Sequence, residues 1–318
     1  MYLTLQAPLH LRQLNIEAPF SEFPNSLRSL KHLEKIVLNC PRLLTYADVA
    51  MLSEEFCYLS SLRYLTLIGC PKLQLLPILF GNLKNLEYFH LSKCSSLEML
   101  PDYFGNLTNI QHINLTDCGS LKMLPNSFGN LVNLQYANIS KCSNLEMIPN
   151  SFGNLTTLQH INLTLCGSLK MLPDLFQNLR NLQTMNLTLC KSLKMLPSSF
   201  ENLKNIQYIN LSRCKCLEML PSFQGNLLQL RHLHLSDCLN LTLSTLGDIT
   251  TLECLDLSGC LQMELLPSQV GSQPSLKNLN LFRTNIKDLP STIVCLRNLE
   301  LLMLGSPFCW ERCHLCSN

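Results

Sequence analysis

The sequence predicts an elongated α/β solenoid, a stack of short parallel strands backed by short helical turns, and three observations carry that expectation. Cysteine recurs every 24 residues, at Cys70, Cys94, Cys118, Cys142, Cys166, Cys190, Cys214 and Cys238. Proline recurs at the same interval, at Pro77, Pro101, Pro125, Pro149, Pro173, Pro197 and Pro221. Around them runs one frame, LxxLxLxxCxxLxxLPxxFxNLxxL, complete at Leu86, Phe89, Leu91, Cys94, Leu97, Leu100, Pro101, Phe104 and Leu107. Self-similarity at a fixed period of about 20 to 50 residues marks a repeat architecture before any single motif is weighed.

Each half of the frame has its own periodicity. LxLxx spaces its apolar residues two apart, as a strand with one inward face does, and LPxxFxNL spaces them three apart, as a helical turn does. Proline suits the first position of such a turn, where its missing N–H would have gone unpaired. Neither half can bury its apolar side alone. Stacked in parallel at about 4.8 Å, the strands and turns of successive units close one continuous core, and each unit touches only its neighbours.

The strand cores begin at Leu11, Leu33, Leu62, Leu86, Ile110, Leu134, Leu158, Leu182, Ile206, Leu230, Leu252, Leu276 and Leu299, which makes thirteen rungs. Twelve intervals at about 4.8 Å give a curved sheet on the order of 58 Å long. From Leu62 to Leu230 the step is always 24, whereas Leu33 to Leu62 takes 29 and Leu230 to Leu252 takes 22. Phe223 comes one place early in its unit, and Thr284 stands where a cysteine is expected. The expected organisation is one domain over 1–318, with irregular repeats at 1–61, regular repeats at 62–305 and a Cys-rich tail at 306–318. A strand-like YLTL lies at Tyr2–Leu5, but only eleven residues separate Leu3 from Leu14, too few for a full rung, so the start reads as a truncated array or as one whose upstream part is missing. Solenoid ends otherwise need a polar cap.

The frame resembles a leucine-rich repeat, in the cysteine-bearing, LP-containing form found in plant intracellular immune receptors of the nucleotide-binding, leucine-rich-repeat type. The resemblance covers nearly the whole chain. It implies a horseshoe solenoid with a concave parallel sheet, and a non-enzymatic module that senses a ligand or regulates its own receptor in plant defence and signal transduction. LP-containing repeats also occur in cytosolic scaffolds of the Ras-signalling kind, so a free-standing scaffold is the alternative, followed by the substrate-recognition subunit of a ubiquitin ligase. The sequence departs from the receptor pattern in lacking a GxxxxGK[ST] phosphate loop.

Composition narrows the partners. Charged residues make up 14% of the chain and the formal net charge is +2, without the basic stripe that a phosphate backbone requires. Nucleic acid is therefore not expected. No apolar run approaches about 18 residues, and the opening MYLTLQAPLHLRQLNI lacks a basic start or a cleavage-like site, so neither a membrane span nor a secretory signal is expected. Seventeen cysteines, an odd number with eight at one inward place, read as free buried thiols able to donate weakly to a backbone carbonyl at the bend beyond the strand. Asn106, Asn114, Asn138, Asn154, Asn162, Asn186, Asn210 and Asn240 begin N-x-[ST] sequences. Five of them share one strand position on successive rungs, where glycans about 4.8 Å apart would collide. A cytoplasmic protein is expected.

Residues between the strand leucines must point outward, onto the concave face. One outward column runs Tyr64, Tyr88, His112, Tyr136, His160, Thr184, Tyr208, His232, and its neighbour runs Thr66, His90, Asn114, Asn138, Asn162, Asn186, Asn210, His234, Asp256. Rings with polar tips are the chemistry of protein recognition, although stacked rings also serve structure alone. The asparagines are candidates for the same surface, or for a ladder of amides bonded rung to rung. A protein partner on this face is expected, with no cofactor and no small-molecule substrate. No carboxylate or nucleophile stands beside these histidines in a catalytic constellation, so an enzyme is not. Four places after each cysteine, Glu98, Lys122, Glu146 and Lys170 alternate in sign. The tail places Cys309, Cys313, His314 and Cys316 close together, ligand types that suit zinc but lack a distant second pair.

Overall fold

A computed structural model of the chain describes residues 10–17, 27–39, 56, 58–76, 78–221, 223, 227–243, 246 and 249–305. The YLTL stretch at Tyr2–Leu5 and the tail residues Cys309, Cys313, His314 and Cys316 lie outside them. Contacts divide the chain into two units, Met1–Leu158 and Gln159–Asn318.

The first unit carries β1 (Gln13–Glu17), β2 (Lys35–Asn39), β3 (Tyr64–Ile68), β4 (Tyr88–Ser92), β5 (His112–Asn114) and β6 (Tyr136–Asn138). They pair in chain order, all parallel, with Tyr64, Tyr88, His112 and Tyr136 in lateral register. The second carries β7 (His160–Asn162), β8 (Thr184–Asn186), β9 (Tyr208–Asn210), β10 (His232–His234), β11 (Cys254–Asp256), β12 (Asn278–Leu281) and β13 (Leu301–Leu304), also parallel and in chain order. Every expected rung thus has its strand. The central residue of each short strand is buried and its two neighbours are half-buried, which is the alternation the LxL spacing demands.

In eight of the described rungs the other half is a five-residue 3-10 turn, as at Asp102–Asn106 and Asn126–Asn130 in the first unit and Asp174–Asn178 and Ser198–Asn202 in the second. Such a segment is too short to repay α-helical nucleation, and the tighter i to i+3 bond suits it. Proline sits one place earlier than expected. Pro101 is extended (φ −77, ψ 160) and caps the turn from outside, its carbonyl accepting the Phe104 amide at 2.9 Å. Gly105 marks a close approach of stacked turns, since a Cβ there would lie 2.3 Å from the carbonyl oxygen of Ser127.

The turn phenylalanines fill the core. Phe104, Phe128 and Phe152 are fully buried and stack in series, at 6.1 and 5.6 Å between centroids; Phe176 and Phe200 repeat the arrangement at 6.0 Å. Phe223 reaches the core despite its early place. The repeated cysteines are free and buried, as expected. Five of them bond back to the preceding rung, Cys118 and Cys190 among them: Cys142 Sγ donates to the Leu115 carbonyl at 3.2 Å, Cys214 to Leu187 at 3.2 Å and Cys238 to Leu211 at 3.1 Å, whereas Cys94 donates to Ser92 of its own rung at 3.5 Å. Thr284, in the cysteine's place, turns its hydroxyl to Leu281 of its own rung at 2.9 Å instead.

Candidate functional site

In the first unit the outward column is a ring stack. Tyr64 and Tyr88 lie 4.5 Å apart at 14°, Tyr88 and His112 lie 4.4 Å apart at 7°, and Tyr136 follows His112 at 6.0 Å, tilted by 32°. Strand register produces this, because identical positions on adjacent parallel strands fall about 4.8 Å apart. Tyr64 is 36% exposed and the others are half-buried, so ring edges and polar tips remain accessible. His90, in the neighbouring column, is held below its ordinary pKa by burial between the uncharged Thr66 and Asn114.

In the second unit the column is more polar. His160 Nδ1 meets the Thr184 hydroxyl at 2.8 Å, and Tyr208 lies 6.2 Å from His232 and 5.3 Å from His234 between ring centroids. Burial lowers the His234 pKa, with Asp256 pulling it upward and His232 adding to the depression. One ligand atom each of His232, His234 and Cys254 lie within 4.8 Å of one another. Beside this face, Glu253 joins Arg231 at 2.7 Å and Lys277 at 2.8 Å across three rungs.

The asparagine column overturns the expected amide ladder. Each strand asparagine turns its Oδ1 to the residue two places on in its own rung. Asn114 accepts from the Thr116 amide at 2.9 Å, Asn138 from Ser140 at 3.1 Å, Asn162 from Thr164 at 3.0 Å, Asn186 from Thr188 at 3.0 Å and Asn210 from Ser212 at 2.9 Å. The Thr116 and Thr188 hydroxyls join in, at 2.5 and 2.7 Å. These are Asx turns. The residue after each turn is left-handed, with φ of 66 at Asp117, 61 at Lys141, 65 at Leu165, 64 at Leu189 and 63 at Arg213. Rung-to-rung amide bonds do exist, in another column: Asn85, Asn109 and Asn133 donate to the carbonyls of Ser60, Lys84 and Thr108 at 2.6, 2.8 and 2.9 Å. A local donor satisfies the strand side-chain oxygen first, because the turn beside it exposes an amide that no ladder can reach.

One exposed feature escaped the sequence reading. Met99, Met123 and Met147 in the first unit are 46%, 46% and 50% exposed, next to the Lys122–Glu98 ion pair at 3.3 Å. Each precedes a buried residue of the frame, and alternation alone could have turned them outward.

A leucine-rich-repeat family model matches residues 85–107 and 133–155. A leucine-rich-repeat protein of Leptospira interrogans shares 27% identity with a TM-score of 0.64, the match covering 94% of this chain and 80% of that one. The chain has the leucine-rich-repeat fold. Its repeats have the fold of two further solved structures. Drosophila Toll, solved in complex with Spatzle, has a TM-score of 0.61 at 20% identity, covering 93% of this chain and 44% of that one. The Arabidopsis receptor kinase HAESA, solved with a peptide hormone and a co-receptor, has a TM-score of 0.52 at 18% identity, covering 92% and 57%. No curated protein sequence matches the chain. Among the described residues no helix of these repeats is long and apolar enough to cross a membrane.

Proposed function

We propose that this leucine-rich-repeat chain is a non-enzymatic protein-recognition module, and that in the first unit the stack Tyr64, Tyr88, His112 and Tyr136 receives the partner. The observation that carries the reading is the accessibility of this ring stack on a parallel sheet. Parallel sheets elsewhere are covered on both faces, yet here the outward positions of β4, β5 and β6 are only half-buried. Aromatic rings with polar tips are enriched where proteins bind, and a few such anchors carry most of the energy. Toll and HAESA, which share the fold, were each solved with polypeptide partners.

The cysteine-bearing, LP-containing frame supports a finer reading, that the module serves a plant immune receptor. The free state of every described cysteine supports a cytosolic, reducing compartment. A photo-crosslinking residue at Tyr88 should capture a partner from plant cell extract, and Tyr88→Ala with His112→Ala and Tyr136→Ala should abolish that partner's binding while circular dichroism is unchanged. Glu98→Ala with Lys122→Ala should leave it intact. A triple variant that binds the captured partner as the wild type does would show that the stack is structural only. A phosphate-loop domain encoded in the same message would support the receptor reading, and its absence from the complete message would remove it.

A further inference from the structure

β10 and β11 bring together residues that no other described pair of strands combines. His232 and His234 stand two apart on β10 and so share the outward face. Lateral register then sets Cys254 beside His232 and Asp256 beside His234. Elsewhere in the first outward column the strands from β3 to β9 carry Tyr, His or Thr, and among the described strands only β10 has imidazole in both columns. The repeat frame therefore does not account for this combination.

The donor set selects a class of ligand. Two imidazoles and a thiol are borderline-soft donors, which suit zinc and its first-row neighbours and not magnesium or calcium. Their ligand atoms already lie within 4.8 Å of one another. Tetrahedral zinc, with bonds of about 2.0 to 2.3 Å, needs ligand atoms about 3.3 to 3.6 Å apart. Small side-chain rotations on the open face supply the difference, because all three residues are half-buried and not locked in the core. Asp256 is fixed nearby, its Oδ1 accepting from the Ser258 amide at 3.0 Å and hydroxyl at 2.7 Å. A carboxylate so placed beside His234 is the kind of group that orients a ligating imidazole.

We propose that His232, His234 and Cys254 bind a zinc ion on the outward face of the second unit, with Asp256 as the carboxylate that orients His234. Water fills the fourth position. The site is independent of the recognition stack in the first unit, so either can fail without the other.

The test uses the full chain after removal of metal by a chelator, titrated with Co2+ and then displaced with Zn2+. Thiolate ligation appears as a sulfur-to-cobalt charge-transfer band in the near ultraviolet, and tetrahedral geometry as intense visible bands. One equivalent should bind, and Mg2+ or Ca2+ should not compete. Cys254→Thr, which installs the residue type found in this column at Thr184, should abolish the charge-transfer band while circular dichroism confirms the fold. His232→Ala and His234→Ala should each weaken binding on the order of 100-fold or more, since even outer partners of a metal ligand are worth about 10- to 100-fold. The tail offers the same ligand types, so the titration is repeated with Cys309, Cys313 and Cys316 changed to Ser and His314 to Gln. The band should survive. A band that persists in Cys254→Thr, or that disappears with the tail residues, would overturn the assignment, as would binding unaffected by both histidine changes.

Discussion

Asn186 separates two explanations of the asparagine column. Its Oδ1 accepts from the Thr188 amide at 3.0 Å and from the Thr188 hydroxyl at 2.7 Å. Asn186→Ala removes both bonds, each contributing about 0.5 to 1.5 kcal/mol, and strands a half-buried amide. The loss should be about 2 to 3 kcal/mol. Asn186→Asp keeps the acceptor and removes only the amide donor, and its lateral neighbours Asn162 and Asn210 are uncharged, so no like charge opposes it. The fold already accepts aspartate here: Asp256 makes the same pair of bonds to Ser258. Asn186→Asp should therefore cost less than about 1 kcal/mol, a small fraction of the Ala loss. Urea titrations followed by circular dichroism, with the slope checked for constancy, measure both. An amide ladder predicts the reverse, since it needs the donor that Asp lacks. If Asn186→Asp proves as damaging as Asn186→Ala, the Asx turn is not what the column provides.

Phe128→Ala removes a fully buried ring packed on both faces by Phe104 and Phe152, and should cost about 3 to 5 kcal/mol; hydrogen exchange should quicken in the adjoining rungs and remain slow at the Leu276 amide, whereas uniform loss of protection would contradict neighbour-only packing. Burial pushes the Cys214 thiol up to about 12, so native protein should resist maleimide there and react in urea; rapid native labelling would refute the buried-thiol assignment. Burial also holds His90 below its ordinary value. The unfolded chain then binds the proton first, so stability present above about pH 6.5 is lost as pH falls through the folded value. The melting temperature should drop on acidification from pH 7 to pH 5, and His90→Gln should make the drop shallower; identical slopes would exclude His90 as a contributor. Left-handed backbone disfavours a β-branched side chain most, so Leu189→Val, at φ 64, should lower stability by about 1 kcal/mol or more while Leu189→Gly lowers it less, and the opposite ranking would count against strain at that position.

The rungs were legible because strand periodicity is a property of the backbone. A residue's parity along LxL decides its face, which sets Ile113 and Leu115 inward and His112 and Asn114 outward. The turn half was less legible. Apolar spacing of three suits an α-turn and a 3-10 turn equally, and length decided between them, which is why Pro101 caps from outside. The exposed methionines were missed because Met123 adjoins Leu124, and an apolar neighbour of a core residue reads as core until parity is applied. Cys254 was hidden in another way: it occupies a column otherwise filled by rings, so its meaning depends on which residue stands beside it on β10.

The N-x-[ST] sequences show most clearly how one pattern can answer to two kinds of chemistry. Read as acceptor sites, they raise a question about compartment. Structurally, asparagine and the hydroxyl residue two places later are the two ends of one turn, since Asn114 Oδ1 holds both the amide and the hydroxyl of Thr116. The turn delivers Asp117 into the left-handed region, and its amide donates to the Ser140 carbonyl of the next rung at 2.9 Å. Cys118 then drops beneath the strand and donates to Leu91 of the rung before at 3.6 Å. Asn, Thr, Asp and Cys are therefore successive parts of one device that ends a strand, reverses the chain and ties the rung to both neighbours. Any compartment would require that device, so the repetition of the motif follows from the geometry of the rung.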